Sequence, residues 1–506
     1  MRTKNVVYGS FATGLLSLVT MLSGLIIPRQ IILVYGSEIN GISNAITQFI
    51  SYFNLIEAGL AGSAIFALYK PFANKDVTGI NGILSASKFY YEKVSILFAC
   101  SVLVFSFGFS FLGNSPLSRL ETFLLVLAIG LSGVLQFSTM SKYRVLLTAA
   151  QKTYVVAYAT SFSILIKVIV LYAAIYLRVG IIGIKLLTGL TILVRSGILY
   201  WYVRKKFPYI SYSANPKPDA LQQRGDVLLM QILNSVHHAF PAVAMTITGI
   251  PYTDISVYTV YMSVVSGVRS IIQIMLNGSI YSSFGELLAR KEYATLKRAL
   301  TDFENICYLV MAILFSCLFV LFIPFLQVYT IGMTDGNYLR PNLAYILSFS
   351  LFLSVIRYPL SSMIQAAGHY RKTRMRTIIQ SLIAVIGAFV LAKPFGMFGI
   401  IIGLILSDFY RTIDVLWYVP HRITHTSTIR SLYRIMLTAL SVVVAIYLGN
   451  TIIGDVPSTY SQWFLSAIQV GVVCTVSAVF ILFIGNFMEM KLVFKRLVSI
   501  VRRKKS

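Results

Sequence analysis

Fourteen apolar stretches dominate this chain, each of about 20 residues or more and so able to cross a hydrocarbon layer as a helix. They fall at 10–34, 42–68, 90–112, 122–141, 154–177, 180–203, 226–249, 254–283, 303–330, 343–367, 375–393, 396–419, 433–453 and 463–485. A backbone inside lipid must satisfy its own N–H and C=O groups, which makes helices of these runs. Only 12% of the 506 residues are charged, against about 25% in ordinary soluble domains. A soluble enzyme and a disordered chain are excluded together. The expected class is an all-α integral membrane protein of about 14 transmembrane helices. The first run follows Arg2 and Lys4, but it is too long for a signal peptide and lacks a small-residue cleavage site, so it reads as a retained helix. Cys100, Cys307, Cys317 and Cys474 sit in apolar runs without metal spacing and read as buried hydrophobes.

The formal charge of +26 arises from 43 Lys and Arg against 17 Asp and Glu. Of those 43 cations, 32 lie in alternate connecting segments and the two ends, and only Arg119, Arg178, Arg340 and Lys393 lie in the opposite loops. The positive-inside rule then predicts both termini in the cytoplasm. Most of the charge is thus a topology signal. Nucleic acid is not needed to explain it.

An internal repeat appears at a spacing of about 216 residues, the kind of feature to seek before function. Gly180-Ile-Ile-Gly-Ile184 matches Gly396-Met-Phe-Gly-Ile400, and Arg195 followed by Trp201-Tyr202-Val203 matches Arg411 followed by Trp417-Tyr418-Val419. Ala73-Asn-Lys-Asp76 matches Ala289-Arg-Lys-Glu292, and Ala149-Ala150 matches Ala366-Ala367 at 217. An offset of six spans preserves orientation, so the halves are parallel repeats. The expected organisation is a first six-helix lobe at 1–203, a basic linker at 204–225, a second lobe at 226–419, two further helices at 420–485, and a basic tail at 486–506. Two like-oriented lobes suit a rocking transporter with a central cavity.

Charges within the spans are expensive and mark pathways or pairs. The cations are Arg29, Lys167, Lys185, Arg195, Arg269, Arg357 and Arg411, and the acids are Glu57, Asp408 and Asp414. Arg195, Arg411 and Lys185 can snorkel toward headgroups. Asp408, Arg411 and Asp414 recur at i, i+3, i+6, which fits a local ion ladder. Lys167, Arg269 and Arg357 fall about 12 to 16 residues from a span end, near mid-depth at 1.5 Å per residue. They either line a cationic cavity or pair with buried acids, and the acids are too few for all the cations. Arg29 follows Pro28, which can kink the first span. Glu57 either takes part in ion coupling or neutralises an Arg. His237 and His238 either carry protons or are structural. His421 and His425 have no third ligand nearby, so zinc is not expected, and no other metal or cofactor is. A basic mid-membrane cavity implies an anionic cargo, because guanidinium groups bind phosphate oxygens bidentately. A drug or cation exporter would present acids instead. No nucleotide-binding or hydrolase motif occurs. A membrane-embedded glycan polymerase or ligase is the alternative of a different class; such enzymes usually place their chemistry on a long external loop, and the short external loops here argue against it.

Arg29-x6-Gly36-x4-Gly41, Glu57-Ala-Gly-Leu60, Ala64-Ile65 and Leu68-Tyr-Lys-Pro-Phe-Ala73 resemble the polysaccharide repeat-unit flippases. These are the Wzx-like members of the multidrug/oligosaccharidyl-lipid/polysaccharide (MOP) exporter superfamily, relatives of the drug antiporters and the lipid II flippase. The resemblance implies a flippase of the bacterial cytoplasmic membrane that is not an enzyme. It would turn an undecaprenyl-pyrophosphate-linked oligosaccharide to the outer leaflet for capsule, exopolysaccharide or O-antigen synthesis, with a polymerase and other assembly proteins as partners. It implies Arg29 and Arg269 as cavity residues, whereas Lys167 and Arg357 follow from depth alone. It also implies H+ or Na+ as coupling ion, with Glu57 as a candidate coupling position, beside which Asp408 and His238 stand as candidates from their place in the spans.

Overall fold

The computed structural model describes residues 2–57, 60–111, 115–212, 233, 239–275, 279–452 and 457–492. Among them there is no strand, and eleven helices are long and apolar enough to cross a membrane. The protein is a multi-pass membrane protein. Residues such as Val104, Ile169 and Val472 are exposed on outward helix faces, the reverse of a soluble surface. The chain divides into two compact units, Met1–Ser263 and Val264–Ser506. The expected linker runs into residues outside the described set from 213 onward, as does half of the seventh expected span.

The first unit holds α1 (Arg2–Tyr35), α2 (Ser37–Phe53), α3 (Leu60–Asn74), α4 (Val77–Phe111), α5 (Arg119–Leu135), α6 (Ser141–Ala149), α7 (Thr153–Tyr176), α8 (Ile181–Leu190), α9 (Ile192–Lys206) and α10 (Phe240–Ile247). It also holds the first half of α11 (Tyr252–Met275). Several expected spans are interrupted helices. The second is α2 and α3 around a 3-10 turn at Asn54–Glu57. The fourth is α5 and α6 joined by a π turn at Gln136–Met140, a distortion frequent at functional sites. The sixth is α8 and α9, broken at Thr191. α1 packs along α7, and α5 packs on α4 and α8, around a core that includes Ile46, Leu68, Phe98, Phe137, Leu146 and Leu171.

Near the start of α2, the Asn40 Nδ2 donates to Ser256 Oγ on α11 at 2.8 Å, with both residues buried. Their separation of 216 residues equals the spacing of the sequence motifs noted above. A Cβ on neighbouring Gly41 would lie 1.8 Å from the Tyr252 carbonyl oxygen, so only glycine permits this backbone approach.

The second unit holds the rest of α11, then α12 (Ser279–Ala289), α13 (Tyr293–Tyr329), α14 (Pro341–Ile356), α15 (Tyr358–Ala366), α16 (Tyr370–Val419), α17 (Thr428–Asn450) and α18 (Tyr460–Gly485). The tenth expected span is α14 and α15, broken at Arg357. The eleventh and twelfth are the two halves of α16, which turn at Gly396 with φ 56° and ψ −132°, a conformation reserved for glycine. Past the turn, a Cβ on Gly399 would lie 1.9 Å from the Leu391 carbonyl oxygen, and one on Gly403 would lie 2.4 Å from the Ala388 nitrogen. The halves therefore pack backbone against backbone, as small residues four apart allow in membranes. α13, α17 and α18 form a three-helix group. Arg434 of α17 ties it together. It is 4% exposed and pairs with Glu304 of α13 and, at 2.9 Å, with Glu489 beyond α18.

Candidate functional site

Five helices of the first unit line a pocket of about 290 Å³. On α7, Thr160, Ser163, Ile164 and Lys167 line it, a spacing of i, i+3, i+4, i+7 that makes one helix stripe. Lys185 and Thr188 of α8 and Arg195 of α9 line the facing side, with Ile129 and Ser132 of α5 and Thr47 of α2 completing the wall. The break at Thr191 frees a carbonyl that the Ser163 hydroxyl satisfies at 2.8 Å. Thr191 and Thr188 donate to their own helix backbone at 2.7 and 2.6 Å. Thr160, Ser132 and Thr47 do the same. Their protons are committed, and their oxygen lone pairs remain available to accept. Such a wall can accept hydrogen bonds from sugar hydroxyls, and it leaves any anion to the cations.

No acidic residue lines this pocket. Among the described residues, no carboxylate lies within ion-pair distance of Lys167, Lys185 or Arg195. Arg195 Nη2 donates to the Gln136 side chain, itself on the π turn, at 3.3 Å. Its Nε is buried without a partner. Withdrawing a charge from water costs several kcal/mol unless it is paired. Three basic side chains thus line one pocket with no carboxylate among its lining residues. Sequence reasoning found Lys167 by depth but read Lys185 and Arg195 as snorkelling. The signal that unites them is the polar stripe Lys185, Thr188, Arg195, continuous across the helix break.

The other expected residues have different surroundings. Arg357 Nη2 meets Asp408 Oδ1 at 2.9 Å, and its Nη1 donates to the Leu353 carbonyl at 3.3 Å. These two candidates thus neutralise each other, with Gln380 Nε2 at 3.4 Å from the same carboxylate oxygen. Asp414 bridges two guanidinium groups, Arg376 through Oδ1 and Arg411 through Oδ2, the latter at 2.7 Å. The expected ladder is therefore split: Asp408 turns to Arg357 instead of Arg411. Glu57, 8% exposed, accepts from Arg144 Nη2 at 2.7 Å and from the Tyr91 hydroxyl at 3.0 Å. Its partner Arg144 is an arginine that the sequence placed in a loop. Arg269 Nη2 is 3.4 Å from Ser354 Oγ, and Arg29 lies partly buried on α1 beside Pro28. His237 and His238 lie outside the described residues. Among the described residues, no cluster of His, Cys, Asp and Glu has metal-binding form.

In the second unit an apolar groove of about 560 Å³ runs between α17 and α18, walled by Leu440, Val444, Leu448, Val472, Val476 and Phe480.

No protein-family profile matches the chain, and no curated protein matches it. Solved structures do. The lipid II flippase MurJ in an inward closed conformation aligns with a TM-score of 0.61 at 13% identity, over 94% of this chain and 99% of that one. An inward-facing multidrug resistance MATE-family transporter of the MOP superfamily aligns with a TM-score of 0.57 at 15% identity, over 84% of this chain and 99% of that one. A MOP-superfamily transporter from Pyrococcus furiosus, described as having a binding pocket of reverse polarity that suggests a different function, aligns at 0.52 and 16% identity, over 87% and 97%. At these identities the likeness is one of fold: the chain has the fold of the MOP-superfamily transporters.

Proposed function

We propose that this protein is a flippase that carries an undecaprenyl-pyrophosphate-linked oligosaccharide repeat unit across the bacterial cytoplasmic membrane by alternating access, without covalent chemistry. The observation that carries this reading is the acid-free pocket of Lys167, Lys185 and Arg195. A pyrophosphate cannot enter lipid unaided, and basic side chains replace its hydration with charge-assisted hydrogen bonds. The hydroxyl-bearing wall offers acceptors to sugar. The groove between α17 and α18, apolar but for Ser477, offers a polyprenyl chain a surface to lie against. Both termini face the cytoplasm in this reading, and a polysaccharide polymerase with other assembly proteins receives the product for capsule, exopolysaccharide or O-antigen. Arg29 and Arg269 serve as further cationic contacts. H+ or Na+ drives turnover, with Glu57, Asp408 and His238 as the coupling candidates.

A drug or cation antiporter, the second reading that the fold permits, is disfavoured by the sign of the pocket. A lipid II flippase shares the pyrophosphate and differs in the sugar.

The test is leaflet transfer of a fluorescent undecaprenyl-pyrophosphate oligosaccharide in reconstituted vesicles. Replacing Lys167→Ala together with Lys185→Ala is expected to cut transfer at least tenfold while the protein still folds and inserts. Transfer at the wild-type rate would sink the proposal. Lipid II and an organic cation, run as competing cargoes, separate the alternatives.

A further inference from the structure

In the second unit, the chain passes from α16 into α17 through a π turn at Pro420–Thr424 and then His425, whose φ of 50° and ψ of 44° lie in the left-handed region. Beside this turn lies a polar pocket of about 270 Å³. Lys297 and Thr301 line one side of it, four apart and so on one face of α13. His425, Ser427 and Arg430 line the other. Glu304 and Arg434 also line it, and they pair with each other. Among the described residues, Glu304 is the only carboxylate in the lining, so three cations face one acid that is already held. No described carboxylate lies within ion-pair distance of Lys297 or Arg430, and Arg430 acts on Glu489 through space. Ser427, the N-cap of the 23-residue α17, makes no side-chain capping bond, and the partial positive charge of that helix end adds to the cations. The same end of α17 also starts an apolar surface. Ile429, next to Arg430, is 79% exposed, and Tyr433, Met436 and Leu440 continue the exposed stripe at helical spacing. On a spanning helix such a stripe faces hydrocarbon. A cationic polar pocket thus adjoins a lipid-facing surface on one helix.

We propose that this pocket binds the phosphodiester headgroup of an anionic phospholipid from the leaflet in which α17 begins. Lys297 and Arg430 hold the phosphate oxygens by charge-assisted hydrogen bonds, and the amides at the start of α17 contribute to the same anion. The acyl chains lie along Ile429, Tyr433 and Met436. Basic pockets between spanning helices hold anionic headgroups in this manner on the cytoplasmic side, the side that the loop charges predict for the start of α17. A zwitterionic headgroup would bring its own ammonium among the cations and is disfavoured. The bound lipid joins α13 to α17 beside the Arg434 cluster, so it stabilises the three-helix group. The site is separate from the pocket of the first unit and does not depend on the cargo carried there.

The experiment follows thermal unfolding of the full-length protein in an uncharged detergent as short-chain phosphatidylglycerol is added. Phosphatidylcholine with the same chains and the deacylated headgroup glycerophosphoglycerol form two further arms. Phosphatidylglycerol is expected to raise the melting temperature saturably, as a compound that binds only the folded state does, and the other two are expected to leave it unchanged. An equal rise with phosphatidylcholine would mean an unselective lipid coat, and an equal rise with glycerophosphoglycerol would mean a soluble phosphate site; either overturns the inference. Lys297→Gln with Arg430→Gln is expected to raise the half-saturating concentration about tenfold, while Lys297→Arg with Arg430→Lys, which keeps both charges, should stay within about threefold. Neither side chain is buried, so these changes open no cavity. Ser427→Asp supplies a carboxylate that caps the first amides of α17 itself. It is expected to raise the melting temperature without lipid and to weaken phosphatidylglycerol. Binding that is unchanged in Ser427→Asp, or that survives the loss of both charges, overturns the inference. Lys167→Ala with Lys185→Ala should leave the phosphatidylglycerol response intact; a response lost there instead would place the lipid in the first unit and overturn this assignment.

Discussion

Arg434 offers the sharpest test of how the last two helices are held. It is 4% exposed, Glu304 is 2% exposed and Glu489 is 26% exposed. Arg434→Met keeps the apolar stem and deletes the charge. Glu304 is then left buried beside a second carboxylate with no cation between them. Breaking a buried pair by removing one partner costs about 3–5 kcal/mol. The Glu489 share is discounted for its solvent exposure, so most of the loss comes from Glu304. Replacing the triad together, with Glu304→Leu, Arg434→Met and Glu489→Gln, removes the stranded charges and should come back to within about 1 kcal/mol of wild type. The assay is denaturant unfolding in one detergent, alongside hydrogen exchange over α17 and α18, where protection should fall first. A single variant within about 1 kcal/mol of wild type, or a triple variant as unstable as the single, would refute the reasoning. The cluster is also acid-sensitive. Burial pushes the Glu489 carboxyl up, but hydrogen bonds from Arg434 and Asn305 and the Arg434 charge outweigh burial and hold it below its ordinary value. Its folded pKa is thus depressed. The stabilisation is full above the unfolded carboxylate value near pH ~4.3 and is lost as pH falls through the lower folded value.

Gly41→Ala should destabilise by about 2 kcal/mol or more, the overpacking range, although glycine to alanine inside a helix ordinarily gains about 0.5–1 kcal/mol; a stabilised variant in thermal melts would contradict the contact with Tyr252. Arg357→Ala should lower stability by about 3 kcal/mol, because Asp408 is stranded, yet leave pyrophosphate affinity within about twofold; a tenfold loss of affinity would place Arg357 in the binding site after all. Glu57→Gln, which leaves Arg144 without its counter-charge, should abolish the dependence of leaflet transfer on one ion gradient; normal transfer under every gradient removes Glu57 from coupling.

The helices were legible because apolar length is a direct physical demand of lipid. Each of the fourteen runs overlaps described helix, while residues 58–59, 112, 276–278, 453 and half of the seventh run lie outside the described residues. Their interruptions were not legible. The π turn at Gln136–Met140 and the break at Arg357 leave no deficit of apolar residues, only a local change of hydrogen-bond register. The charges show the same limit. Depth gave Lys167 and Arg357 the same standing, because depth measures the cost of burial and carries no information about partners. The supply of acids was counted correctly, but their allocation was not. Glu57 and Asp414 also engage Arg144 and Arg376, residues that the sequence had assigned to the basic ends, and this leaves Lys167, Lys185 and Arg195 without a carboxylate.

The bond between Asn40 and Ser256 has a meaning beyond packing. In an assembly of two identical copies, a position that touches its own counterpart is set by a single codon, and the contact can only be like with like. Asn40 against Ser256 is unlike. Joining the two halves in one chain gives each side of such a contact its own heritable fate. The same freedom lets one half keep Ile198 where the other, 216 residues on, carries Asp414. Such an asymmetry is something that a fused chain can evolve and a symmetric pair cannot.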